Sequence, residues 1–178
     1  MSLWLSSFAI VLLLAISFFF SGSETALTAA SRARMHQLSR AGDRRAGIVE
    51  TLSIEKERLI GSLLLGNNIV NIGAASLATA LALDAFGTRG VAYATGVMTL
   101  LVLVFGEITP KGLATANADR VSLMVATPVL LLSRLLFPAV LPLERLTRWF
   151  VDRSRREGRL TVTEGEIREM TVIRHREG

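Results

Sequence analysis

Four long apolar blocks, parted by charged stretches, restrict this chain more than any other feature. They cover about residues 3–28, 59–83, 90–112 and 121–143. A hydrocarbon core of about 30 Å needs about 20 mainly apolar residues in helical form, because no water is present to satisfy bare backbone groups. Each block has that length, so the fold expected is all-α and integral to a membrane. The 178 residues are 51% hydrophobic, and a mean hydropathy of +0.46 agrees. The first block, Leu3–Phe20 and onward, does not read as a signal peptide. No positive charge precedes it, and no small-residue cleavage site followed by a secreted-type sequence closes it.

Charge then orders the blocks. The formal charge is +5 and the pI near 10.9, which in a soluble protein would point to nucleic acid. Here the basic residues abut apolar blocks, so they read as juxtamembrane charge against anionic membrane lipids, and no nucleic-acid partner is expected. Arg32–Arg58 contains Arg32, Arg34, Arg40, Arg44, Arg45, Lys56 and Arg58. It reads as an amphipathic or helical connector, turned at Ala41-Gly42-Asp43 and largely solvated. Short Lys/Arg-rich loops stay in the cytoplasm. The first block then runs inward from an outside N-terminus, the second outward through Asp84–Arg89, and the third inward to Lys111 and Arg120. A fourth crossing would carry Arg145, Arg148, Arg153, Arg155, Arg156 and Arg159 outside, against the same rule. Pro128, Pro138 and Pro142 also interrupt that block.

The architecture expected is three transmembrane helices plus a Pro-kinked in-plane or re-entrant juxtamembrane helix on the inner side. Residues 1–150 make the membrane domain. Residues 151–178 are a basic linker and the start of a cytoplasmic helical segment, with Thr163 as N-cap and Glu164 and Glu166 in its first turn. That segment stops without completing a domain, as part of a longer protein would.

The residue types present exclude several chemistries. Cysteine is absent, and the two histidines, His36 and His175, lie in charged stretches. A disulfide framework, a thiolate site and a zinc or copper centre are therefore not expected. Without HExxH, cysteine or a suitably placed histidine, intramembrane hydrolysis is not expected either, and the chain does not read as an enzyme.

What remains is polarity inside the apolar blocks. Residues 100–113, LLVLVFGEITPKGL, place Glu107 in or at the edge of the hydrocarbon, where a carboxylate is costly without a partner. Pro110 has no N–H, so a helix through it leaves the Gly106 carbonyl without its usual donor. In the first block Ser17, Ser21, Glu24 and Thr28 fall on one helical face. In the second, Asn67 and Asn71 share a face while Asn68 sits about 100° away. At about 1.5 Å per residue, Ser21 lies about 27 Å from Leu3 and Glu107 about 26 Å from Gly90, while Asn67 and Asn71 lie about 14 and 20 Å from Arg58. The three polar breaks thus approach one layer.

The candidate metal ligands are the hydroxyls of Ser21 and Ser23, the amide oxygens of Asn67 and Asn71, the Gly106 carbonyl and the Glu107 carboxylate, with Glu24 assisting. An all-oxygen, near-octahedral set suits Mg²⁺, with Ca²⁺ and Mn²⁺ less well excluded. The plainer reading stands beside it: small polar residues let helices pack closely, and amides bond between helices. Lys111 can simply snorkel to inner headgroups.

FFSGSETAL, LLLGNNIVN and FGEITPK, in this order on successive apolar blocks, resemble the transmembrane domain of the CorC/CNNM (cyclin M) magnesium transporters. The resemblance covers about residues 1–150. It is carried by Ser21 and Gly22, by Asn67 and Asn71, and by Gly106, Glu107, Pro110 and Lys111. Ser23, Glu24 and Asn68 fall where the family varies. The resemblance implies three spans, a belt-like juxtamembrane helix, a homodimer in the cell membrane, an outside N-terminus and a cytoplasmic C-terminus. It implies Mg²⁺ export, with Na⁺ as the candidate exchange ion. ATP would bind only to the paired CBS domains that follow in the family and are absent from these residues. The competing reading is a membrane-anchored Mg²⁺-sensing regulatory or scaffold protein that binds the ion without carrying it.

Overall fold

In the computed structural model, which describes residues 3–142, each apolar block is helical and no strand occurs among the described residues. In chain order the helices are α1 (Leu3–Ala29), α2 (Arg32–Arg40), α3 (Arg44–Ile54), α4 (Lys56–Phe86) and α5 (Thr88–Leu101). A π-helical turn, Val102–Ile108, continues α5 directly into α6 (Thr109–Ala116). α7 covers Ala118–Pro142. Four helical stretches are long and apolar enough to cross a membrane: α1, α4, the α5–α6 rod and α7. The arginine run from Arg145 to Arg159, the Thr163 cap and the rest of the 151–178 segment lie outside the described residues.

Small residues set the spacing of the long helices. Position numbers fall along α4 as they rise along α1: Leu13 meets Gly73, Ser17 meets Asn67, and Phe20 meets Gly66. The two helices are therefore antiparallel. The Phe20 ring rests on the backbone of Gly66, in the space a Cβ would fill. Hydrocarbon offers no hydrophobic drive for helices to associate, so such close approach, with its dispersion contacts, is what holds them. The α4–α5 hairpin turns at Gly87, whose φ of +64° suits glycine. On the third rod, Gly22 of α1 faces Pro110, whose Cβ would stand 3.6 Å from a Cβ built on the glycine.

The basic connector is more than a solvated loop. Ser31 caps α2 through a bond from Arg34 N–H, and Asp43 caps α3 through bonds from Arg45 and Ala46 N–H. Gly42, at φ 97°, makes the turn between them. The arginines point outward, while Met35, Ala46, Val49 and Leu52 are buried. They form one core with Phe20 and Leu27 of α1, Leu59 and Leu63 of α4, and Val125, Ala126 and Val129 of α7. The charge of the connector conceals this stripe because its apolar positions are few and spaced a helical turn apart.

α7 runs through Pro128 and Pro138 without a break in its helical assignment. Ser122, Val125, Ala126, Val129 and Ser133 are buried on one face, while Met124, Leu131 and Leu135 are exposed. At its start, Asp119 accepts a bond of 2.8 Å from Ser31 N–H and pairs with Arg34 at 3.4 Å. Near its end, the Arg58 guanidinium sits 4.1 Å from the Phe137 ring centroid. Val140 lies 3.2 Å from where a Cβ on Gly61 would stand. Ser31 follows α1, and Arg58 and Gly61 begin α4. Both ends of α7 therefore touch the basic end of the bundle.

Two predictions follow from this packing. Gly66→Val drives a branched side chain into the Phe20 ring and is expected to destabilise by about 1–3 kcal/mol as an overpacking change. Gly96→Ala, with no heavy atom within 4 Å of its new Cβ, serves as control. Thermal unfolding in detergent should show a lower Tm for the first variant only. The second concerns Glu50, whose carboxyl is held below its ordinary value of 4.5 by side-chain hydrogen bonds from Ser39 and then from His36, the latter at 2.7 Å. A lowered folded-state pKa contributes stability above the unfolded value, and that stability is lost as pH falls through the folded one. Acidification from pH 5 to about pH 3 should therefore lower the Tm slightly more in the native chain than in Glu50→Gln, the pair being exposed and weak.

Candidate functional site

The polar layer is assembled where α1, α4 and the π-helical turn meet. Ser17 and Ser21 stand one turn apart on α1, both buried. The Ser17 hydroxyl donates to Asn67 Oδ1 at 2.8 Å. Gly106 closes against both neighbouring helices: a Cβ there would lie 2.8 Å from Ser17 Oγ and 3.7 Å from Asn71 Oδ1. Only glycine lets the third rod come this near. Ser17, Asn67, Asn71 and the Gly106 backbone are thus neighbours, drawn from three separate segments.

Asn71 Oδ1 in this layer, and Ser21 Oγ one turn along α1 toward the basic end, are buried with no hydrogen-bond partner. Each such orphan costs about 1–3 kcal/mol, and a native structure keeps one where a water, an ion or a function supplies the missing partner. Glu107 is half-buried and, with Asn71, lines a groove of about 420 Å³ between α4 and α5. The Asn71 and Glu107 side chains therefore line the same space, while the unpaired Asn71 Oδ1 is buried on the Gly106 side.

The backbone adds oxygens. The Thr109 N–H donates to the Val104 carbonyl, five residues back. Pro110 has no N–H to give, so it deprives the Phe105 carbonyl in the five-residue register and the Gly106 carbonyl in the ordinary four-residue one. The break falls directly before Glu107. π-Helical turns inside α-helices are frequent at functional sites.

The remaining expected ligands are placed less centrally. Ser23 is buried and unpartnered, but two residues along a helix is a rotation of about 200°, so it does not share the face of Ser17 and Ser21. Glu24, three residues from Ser21, is on that face and half-buried. Asn68 and Lys111 are exposed. Two residues outside the expected set matter. Ser17 holds Asn67, and its place one turn before Ser21 was the signal available for it. Ser62 of α4 is a further buried, unpartnered hydroxyl, with no neighbouring polar residue in the sequence to mark it.

Among the described residues no group of three or more His, Cys, Asp or Glu side chains gathers where it could hold a metal. A cation in this layer would rest on neutral oxygens and one carboxylate. Such donors suit a hard divalent ion and not a soft one.

Comparison with known proteins gives the chain a family. Residues 8–178 match the family described as the Cyclin M transmembrane N-terminal domain. The chain is 41% identical over 133 residues to the UPF0053 inner membrane protein YfjD of Escherichia coli, covering 75% of this chain and 31% of that protein. It is 38% identical over 141 residues to a UPF0053 protein of Haemophilus influenzae, covering 78% and 34%. A DUF21 domain-containing chloroplastic protein of Arabidopsis thaliana is 38% identical over 129 residues, covering 72% and 20%. The chain thus spans about a third or less of the length of these relatives. With four membrane-length helices and a match over nearly its whole length, the chain belongs to the cyclin M transmembrane N-terminal domain family.

Proposed function

We propose that this domain carries Mg²⁺ across the membrane through the layer of Ser21, Asn67, Asn71, Gly106 and Glu107, with Ser17 positioning Asn67. The observation that carries the reading is the pair of buried, unpartnered oxygens, Asn71 Oδ1 in the layer that Glu107 borders and Ser21 Oγ one turn along α1. Mg²⁺ demands short, near-octahedral oxygen contacts and gives up water reluctantly. A rigid ring of hydroxyl, amide and backbone oxygens replaces that water without adding excess negative charge. Ser23 and Glu24 belong to the inner approach of the site, one helical turn or less from Ser21.

In this reading α1, α4 and the α5–α6 rod span the membrane, with the N-terminus outside. α7 lies along the inner surface. Support for α7 comes from its two ends, Asp119 at Ser31 and Arg34, and Phe137 and Val140 at Arg58 and Gly61, which touch the same end of the bundle. A helix of 25 residues, about 37 Å long, could not cross the core and keep both ends there. Its exposed Met124, Leu131 and Leu135 would then face the lipid of the inner leaflet.

Release of the ion follows from withdrawal of one or two oxygens. The π-helical turn is the place for it, because a shift between five- and four-residue registers exchanges which carbonyl is unpaired. Export from the cytoplasm in exchange for Na⁺, assembly as a homodimer in the cell membrane, and control by ATP-binding CBS domains elsewhere in the full protein complete the proposal. No enzymatic step is assigned.

Glu107→Gln keeps the shape and removes the charge. It is expected to weaken Mg²⁺ binding tenfold or more, read as the Mg²⁺ concentration that half-maximally raises the Tm; an unchanged midpoint would remove the central ligand. Mg²⁺ flux by the full-length protein in liposomes separates carrying from sensing, since a sensor binds but shows no flux above empty vesicles. For topology, a cysteine placed between residues 153 and 159 should react with an impermeant reagent from the cytoplasmic side alone, and labelling from outside would restore a fourth crossing.

A further inference from the structure

The groove that holds Asn71 and Glu107 extends away from the basic end of the bundle. Its walls include Thr79 of α4 and Thr95 and Thr99 of α5. α4 runs from Asn71 to Thr79 toward the hairpin at Gly87, and α5 runs back from that hairpin through Thr95 and Thr99 to Glu107. All three threonines therefore lie on the hairpin side of the carboxylate. Thr95 and Thr99 are about 6 Å apart along the rod, and Thr99 is about 12 Å from Glu107.

Each hydroxyl has already committed its proton. Thr79 donates to the Ala75 carbonyl at 2.8 Å, Thr95 to Val91 at 2.9 Å and Thr99 to Thr95 at 2.7 Å. A hydroxyl bonded in this way has only lone pairs left to present. Elsewhere the groove is walled by apolar side chains such as Ile72, Met98 and Leu103. An anion gains nothing along such a wall. A cation meets a series of acceptors with a carboxylate at their end. The volume, about 420 Å³, accommodates a cation with six waters, which occupy roughly 180 Å³ at about 30 Å³ each.

Toward the basic end the seams that α1 makes with α4 and with α6 are filled. Phe20 is buried with its ring on Gly66, between α1 and α4, and Pro110 sits against Gly22, between α1 and α6. We propose that the α4–α5 groove is the hydrated path between the hairpin side of the membrane and the Asn71–Glu107 site. Thr79, Thr95 and Thr99 form its oxygen-bearing wall, and the Phe20–Gly66 and Gly22–Pro110 contacts fill the α1 seams on the opposite side. The proposal rests on the reading of Glu107 as part of the cation site.

The absence of cysteine from these 178 residues makes single-cysteine labelling direct. Thr95→Cys and Thr99→Cys, each in the full chain reconstituted in liposomes, are treated with an impermeant cationic methanethiosulfonate from either side. Both are expected to react from the hairpin side only, and saturating Mg²⁺ should slow the reaction at Thr99→Cys tenfold or more. Ser62→Cys, buried on α4 toward the basic end, should not react from the hairpin side. Failure to react from that side, reaction from the basic side, or a rate indifferent to Mg²⁺ would each overturn the groove as a path. The Mg²⁺-dependent Tm shift tells this failure from that of the site. If the shift persists and Glu107→Gln reduces it, the site stands and only the path falls; if Mg²⁺ gives no such shift, both fall. Should a cysteine variant not fold, Thr95→Val with Thr99→Val, which deletes the oxygens at nearly constant shape, is expected to cut Mg²⁺ flux several-fold while the Tm shift remains. Unchanged flux in that variant overturns the path.

Discussion

Inside hydrocarbon, a backbone carbonyl that loses its N–H donor has no water to turn to, and leaving it bare costs several kcal/mol. Pro110 imposes this cost just after a π-helical turn, and polar side chains of two other helices lie near that turn. Ser17 and Ser21 come from α1, Asn67 and Asn71 from α4, and Gly106 lies in the turn itself. Had the proline served only to end a helix, the adjoining residues could have been apolar at no loss. Instead Glu107 follows the deprived carbonyls, where its charge raises the cost further. The arrangement is stable only if something positive, or water, shares the layer.

Close packing makes such a layer possible. Gly66 admits Phe20, Gly106 admits Ser17, and Gly22 admits Pro110. At Gly66 and Gly106 even a Cβ would collide with the facing side chain, while Gly22 meets Pro110 at ordinary van der Waals distance. The effect is to fix the rotation and register of three helices at once, so that the amide of Asn67 meets the hydroxyl of Ser17. Fixing Asn67 in this way leaves Asn71, one turn along, as the amide without a partner. The rigid contact and the unpartnered amide oxygen thus arise from the same seam. The core at the basic end, built from α2, α3, α7 and the adjoining turns of α1 and α4, anchors the seam without entering it.

Much of this was legible in the chain because single residues carried large penalties. Four apolar blocks gave four helices within a few residues of their bounds. Glu107 and Pro110 stood out because either one in hydrocarbon calls for an explanation. Asn67 and Asn71 declared a shared face by their spacing. What could not be read depends on relations between helices. Ser17 owes its role to the register set by Phe20 on Gly66, and the periodicity of α1 alone cannot encode that. The π-helical register, marked by the Thr109 N–H bonding to Val104, adds the Phe105 carbonyl to that of Gly106 as one to which Pro110 offers no donor. Met35, Val49 and Leu52 were hidden by the arginines around them, since average charge says little about where a few apolar side chains point. Ser62 is silent in sequence because one serine in a span is ordinary.

Charge finally constrains what such a site could do. One carboxylate against a divalent ion leaves a net positive charge in a medium of low dielectric, with Glu24 the nearest further acid on the same face of α1. Affinity for hard cations rises with the number of charged ligands and with site rigidity. A cage of several carboxylates would hold the ion too firmly for turnover, and a purely neutral ring would scarcely dehydrate it. Neutral oxygens from serine, asparagine and backbone, with a single half-buried carboxylate open to a groove, lie between these limits. That balance favours an ion that enters, exchanges water for protein oxygen, and leaves when one oxygen is withdrawn. It is the electrostatic argument for reading this layer as a station on a path and not as a permanent structural metal site.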